Sequence, residues 1–308
     1  MNFNRKLLKR LLLFLGVVAP GAFALRMFSY FSELEVTTGF FKNNGTACMI
    51  YNGIGFLVFG LCLIFTRSKK ETPAESTDPD NADLFSDDTI LVHETRVYGP
   101  EKDFPELFHQ GFAKKTVVWE GTASAFATLL PGFGFISYAL TFITDSTLIG
   151  DPYHIILIAL SLLSGLFFLL TAFRNSARIR KSMAFFGLLP ALWCTLRMVI
   201  EYRDLARFVN KTLYIGQFLF IISLLVFFLY QAQFLLGEKT LFAPNAYTFS
   251  AVSVVFFGIT ARLPHLFAML GDRTSMNLVD ATSLLMDLAI TLFAFIKLRA
   301  IVKTRNFS

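Results

Sequence analysis

Six residues have the types and spacing to hold a charged ligand. Arg197 and Glu201 lie four apart at the end of an apolar run, so on a helix they share a face and can bond directly. Arg262 and His265 lie three apart in a second apolar run and also share a face. Asp287 stands alone in a third run, and Arg26 closes a fourth. An ionisable side chain inside an apolar span is expensive, and it marks a site by default. If the outer ends of these runs meet, Arg26, Arg197, Glu201, Arg262, His265 and Asp287 line a polar cavity. Its excess of arginine suits an anionic small molecule. The competing reading is structural: Glu201 satisfies a boundary arginine, and Asp287 bonds a neighbouring helix.

Other chemistry finds little support. The chain has no HExxH, no GxSxG, no P-loop and no GxGxxG after a strand. The four histidines (His93, His109, His154, His265) are scattered without ligand spacing, so no metal is expected. Cys48, Cys62 and Cys194 all fall in apolar runs and form no CxxC pair. No catalytic residue and no cofactor is assigned, and an enzyme is the less favoured class. Glu120, beside Trp119, suits a headgroup contact better than proton coupling.

The elements that must position these side chains follow from composition. The 308 residues are 55% hydrophobic and only 16% charged, with mean hydropathy +0.58. A soluble domain carries about 25% charged residues, so this chain cannot hide its apolar surface in one aqueous core. The fold class is all-α: a polytopic integral membrane protein whose first partner is the lipid bilayer. About eight transmembrane helices are expected, at Leu11–Leu25, Asn43–Thr66, Thr116–Thr144, Tyr153–Phe173, Arg180–Asp204, Thr212–Gly237, Tyr247–Leu270 and Val279–Ile296. The net charge of +6 is spread over the flanks of these runs, which argues against nucleic acid and for topology signals.

The basic start, the short apolar run and Ala22-Phe23-Ala24 would also suit a cleaved signal peptide. A retained helix is preferred, because Pro20 and Leu25-Arg26-Met27 recur as Pro190 and Leu196-Arg197-Met198.

Three regions result. Residues 1–66 form a first transmembrane hairpin. Residues 67–115 form an acidic cytoplasmic loop, disordered where it is Pro/Ser-containing, with a strand-like stretch at 89–98 and an interfacial-helix pattern at 103–115. Residues 116–308 form a six-helix transmembrane region. Most of the 28 Lys and Arg residues fall on one side of this threading, which puts both termini in the cytoplasm of a cell membrane. The recurring motifs suggest two parallel four-helix repeats with the loop inserted in the first. Pro20, Pro131, Pro190 and Pro264 would each kink a span and free a carbonyl.

Two functions remain open. One is a small-molecule permease or ligand-binding protein using the outer cluster. The alternative is a membrane interaction or regulatory subunit whose 71–115 loop meets a cytoplasmic protein.

Overall fold

The computed structural model describes residues 5–35, 41, 45–66, 118–144, 151–173, 185–205, 214–236, 244–272 and 277–304. The 67–115 loop, with its acidic, strand-like and interfacial stretches, lies outside them. Among the described residues everything regular is helical, apart from an isolated bridge between Leu34 and Phe41. The helices are α1 (Arg5–Phe28), α2 (Thr46–Thr66), α3 (Val118–Thr144), α4 (Pro152–Phe173) and α5 (Leu189–Leu205). They continue with α6 (Ile215–Leu236), α7 (Pro244–Phe257), α8 (Leu263–Leu270) and α9 (Leu278–Thr304). Two π-helical turns interrupt the pattern: π1 (Ser29–Glu33) extends α1, and π2 (Gly258–Arg262) joins α7 to α8.

Seven helical segments among the described residues are long and apolar enough to cross a membrane. They correspond to α1 with π1, α2, α3, α4, α6, α7 through α8, and α9. The chain is a polytopic helical membrane protein. The segment expected around Arg197 is shorter than the others. Its helix α5 has 17 residues, against 27 in α3. The cause is a turn at Gly187-Leu188 that separates Phe185-Phe186 from the rest.

That turn also changes the role of Pro190. The sequence places it in the middle of a span, but it occupies the first turn of α5. A missing backbone N–H costs nothing there, because those donors have no partner inside the helix. Pro20 and Pro131 do lie inside α1 and α3. Pro264 falls in the first turn of α8, directly after π2. A proline ring clashes with the carbonyl four residues back. In π2 the Leu263 N–H reaches back to Gly258 O, which widens the turn just before the ring.

The helices pack through aromatic and small residues. Phe135 of α3 meets Trp193 of α5 edge-on at 4.9 Å and stacks on Phe168 of α4 at 5.7 Å. Phe168 meets Phe293 of α9 at 5.5 Å and Phe228 of α6 at 6.0 Å. These rings tie four helices to α5 without any polar contact. The α3–α4 pair packs across facing glycines. A Cβ on Gly165 would lie 2.9 Å from Gly132 O, so only glycine lets these two backbones approach this closely.

At one end, a surface contact ties α4 to α5. Arg203 Nη1 donates to Asp151 Oδ2 at 2.6 Å, and the Tyr153 N–H donates to Asp151 Oδ1 at 3.0 Å. The Tyr153 N–H and then the Arg203 guanidinium hold the Asp151 carboxyl below its ordinary value of 3.8. A depressed carboxyl stabilises the fold above its unfolded pKa and loses that contribution as pH falls through the folded one. Thermal unfolding should therefore show a loss of stability below pH of about 4, and Arg203→Met should shrink it. The carboxyl is partly exposed, so solvent screens the contact and the effect is small.

Candidate functional site: a buried arginine–aspartate network

The site lies at the end of the bundle where α1 finishes, α5 finishes and α9 begins. Its hub is Asp287 in the third turn of α9, which is fully buried. Arg197 of α5 grips it end-on: Nη1 donates to Oδ1 at 2.6 Å and Nη2 to Oδ2 at 2.9 Å. Two parallel N–H···O bonds of this kind fix both groups in one plane. Arg197 spends its other donors nearby. Nε bonds Glu201 Oε1 at 2.6 Å, and Nη2 also reaches Ser283 Oγ at 2.9 Å. The ring of Trp193 lies 5.0 Å from its guanidinium carbon. Glu201 continues the chain of bonds, because its Oε2 accepts from Gln217 Nε2 of α6 at 2.7 Å.

Local structure explains the arrangement. Trp193, Arg197 and Glu201 are spaced four apart on α5, so all three share one face. Ser283 and Asp287 are four apart on α9 and face back. The aromatic contacts of Trp193 hold that face of α5 in place, which lets a short helix present a long charged side chain across to α9.

Arg262 also reaches Asp287. It is the last residue of π2, and its Nη2 lies 2.6 Å from Asp287 Oδ2. It is 3% exposed, and Phe220 of α6 lies 5.3 Å from its guanidinium carbon. Yet neither Nε nor Nη2 of Arg262 makes an aligned hydrogen bond. The contact with Asp287 is close in distance but off the N–H direction, so it is an ion pair without a hydrogen bond. Asp287 thus serves two arginines and is oriented by only one.

A third arginine stands beside them. Arg26, at the end of α1, is buried with its Nη2 3.4 Å from Tyr30 Oη and its Nη1 3.2 Å from Cys48 Sγ. The rings of Tyr30 and Tyr51 each lie 4.9 Å from its guanidinium carbon. Tyr51 Oη meets Thr260 Oγ1 of π2 at 3.4 Å, and Tyr30 stacks on His265 at 5.7 Å. His265 is within electrostatic reach of Arg26, Arg262 and Asp287. Comparison with family models, curated proteins and solved structures finds no match to this chain.

The structure brings all six sequence-derived residues into one region: Arg197, Glu201, Asp287 and Arg262 in direct contact, Arg26 and His265 through Tyr30. Several members had no strong sequence signal. Ser283 is detectable only as the residue one turn before Asp287, and Gln217 as the first polar side chain of α6. Tyr30, Tyr51 and Thr260 carry no pattern that separates them from packing residues. The two π turns, each beside an arginine of the site, are likewise absent from the periodicity. Glu33, in π1, is buried but spoken for, since its carboxylate accepts from the N–H of Ala47 at 2.9 Å and caps the start of α2. Among the described residues no group of His, Cys, Asp and Glu has the arrangement to hold a metal.

Proposed function

We propose that this chain is a ligand-binding membrane protein, of the small-molecule permease kind, which takes an anionic molecule at the network around Asp287. One observation carries the reading. A fully buried carboxylate is shared by two buried arginines from two other elements, with a third arginine alongside, in an otherwise apolar bundle. Burying such charges costs several kcal/mol per ion before their attraction is counted, and apolar residues of similar volume often stabilise as well or better. Two carboxylates, Asp287 and Glu201, share Arg197, and Arg262 adds a second cation to them. With Arg26 alongside, the cluster holds one arginine more than carboxylates, which suits a site that receives negative charge.

In this reading α5 is an eighth crossing, shortened by the turn at Gly187-Leu188. Both termini and residues 67–115 then face the cytoplasm of a cell membrane, in keeping with the uneven spread of Lys and Arg. The Leu-Arg-Met triplets of α1 and α5 support a repeat of four helices, since each triplet places an arginine of the network.

The test is a thermal-shift screen of the purified full chain against anionic, cationic and neutral metabolites, with Arg197→Met alongside. The reading expects at least one anion to raise the melting temperature of the wild type and not that of the folded variant. If no anion shifts the wild type, the network is a structural brace and the reading fails.

A further inference from the structure

Arg262 differs from the other two arginines in what it leaves unused. A guanidinium has two faces for two-oxygen acceptors: the end-on pair Nη1 and Nη2, and the side-on pair Nε and Nη2. Arg197 uses its end-on pair on Asp287 and its Nε on Glu201. Arg262 has its whole side-on pair, Nε and Nη2, buried and without a hydrogen bond. A cation 3% exposed, with Nε unpartnered and Nη2 held only by an off-axis ion pair, is costly, and few folds retain one without a use for it. Asp287 Oδ2 sits 2.6 Å from Nη2, but the Arg197 fork fixes the plane of that carboxylate, so it cannot turn to meet the Arg262 edge.

We propose that the Nε–Nη2 edge of Arg262 is the docking point for the carboxylate group of a monoanionic ligand, with Asp287 as the resident counter-charge when no ligand is bound. This rests on the anion-binding reading above and names the ligand class and its anchor. Carboxylate is favoured over phosphate on charge. Asp287 is fully buried beside the edge, and a second negative charge on the ligand would raise the repulsion between like charges at contact distance. The position of the anchor fits the role as well. Arg262 ends a π turn, and such turns concentrate at functional sites. Phe220 against one face of the guanidinium leaves its edge as the direction for a partner.

The experiment uses the full chain in lipid nanodiscs, with thermal unfolding followed against increasing acetate or benzoate. Acetamide and benzamide serve as neutral isosteres, and inorganic phosphate as the rival anion. The proposal expects saturable stabilisation by the carboxylates and none by the amides. Arg262→Lys keeps the charge but loses the two-point fork, and should weaken carboxylate binding by about tenfold or more. Arg262→Met should abolish it, whereas Arg203→Met, which breaks the surface contact with Asp151, should retain it. If Arg262→Met does not fold, Arg262→Lys decides alone. Unchanged carboxylate affinity in Arg262→Lys would overturn the anchor while leaving anion binding in place. Stabilisation by phosphate alone, lost in Arg262→Lys, would overturn the ligand class. No stabilisation by any anion would overturn both this proposal and the reading beneath it.

Discussion

Asp287→Asn is expected to be the most damaging single change in the described part of the chain. It should cost about 3–5 kcal/mol, the usual penalty for leaving a buried charge without its partner. Asparagine matches the shape of the carboxylate but replaces one oxygen with an NH2 group. That group would face the N–H donors of Arg197 Nη1 or Nη2, which now bond Oδ1 and Oδ2, so a bond becomes a donor–donor contact. Arg262 would lose its ion pair as well. Arg197→Met should cost less, because Asp287 would keep Arg262 and the long apolar side chain would still cover Trp193. Melting temperatures of the two variants in one detergent check the order. Equal stability of Asp287→Asn and wild type would show that the carboxylate is not the hub.

Gly258→Ala is expected to be the second largest effect, although it touches no charge. Gly258 opens π2 where it crosses α9, and a Cβ there would lie 2.7 Å from Thr291 Cβ and closer still to the other side-chain atoms of Thr291. Turning Thr291 to another rotamer cannot relieve a clash with its own Cβ. The two helices must separate, at a cost of about 1–3 kcal/mol. Thr291 is one turn from Asp287 and bonds its carbonyl, so the separation would also pull Arg262 from its partner. Thr291→Ala should recover part of the loss, since it removes two of the three crowded atoms and leaves the Cβ. Melting temperatures of the single and double variants give the result, and full additivity of the two changes would contradict the packing argument.

What is legible in the sequence depends on the reach of each signal. The membrane helices can be read directly, because an uncharged apolar run of about 20 residues is rare outside a bilayer. The shared face of Arg197 and Glu201 is legible because helical spacing brings residues four apart together. That Asp287 would be held by Arg197, 90 residues away, is not, because nothing local says which helices are neighbours. Pro190 misleads for a related reason. A proline inside an apolar run reads as a kink, but the turn at Gly187-Leu188 moves the helix start up to it. The π turns escape because one extra residue shifts the pattern by less than the noise in apolar spacing. Within the network, the residues that bond by side-chain oxygen or ring face, such as Ser283, Tyr30 and Tyr51, resemble ordinary packing until the arginines are placed.

The network turns on one coupling, between Arg197 on α5 and Asp287 on α9. A double-mutant cycle of Arg197→Met, Asp287→Asn and the pair measures it directly by equilibrium unfolding of the purified protein. Two residues joined by a bidentate bond should not behave independently. The double variant should lose less than the sum of the singles by about 2 kcal/mol or more. Losses that simply add would mean that the two side chains do not hold each other, and the network built on them would fall.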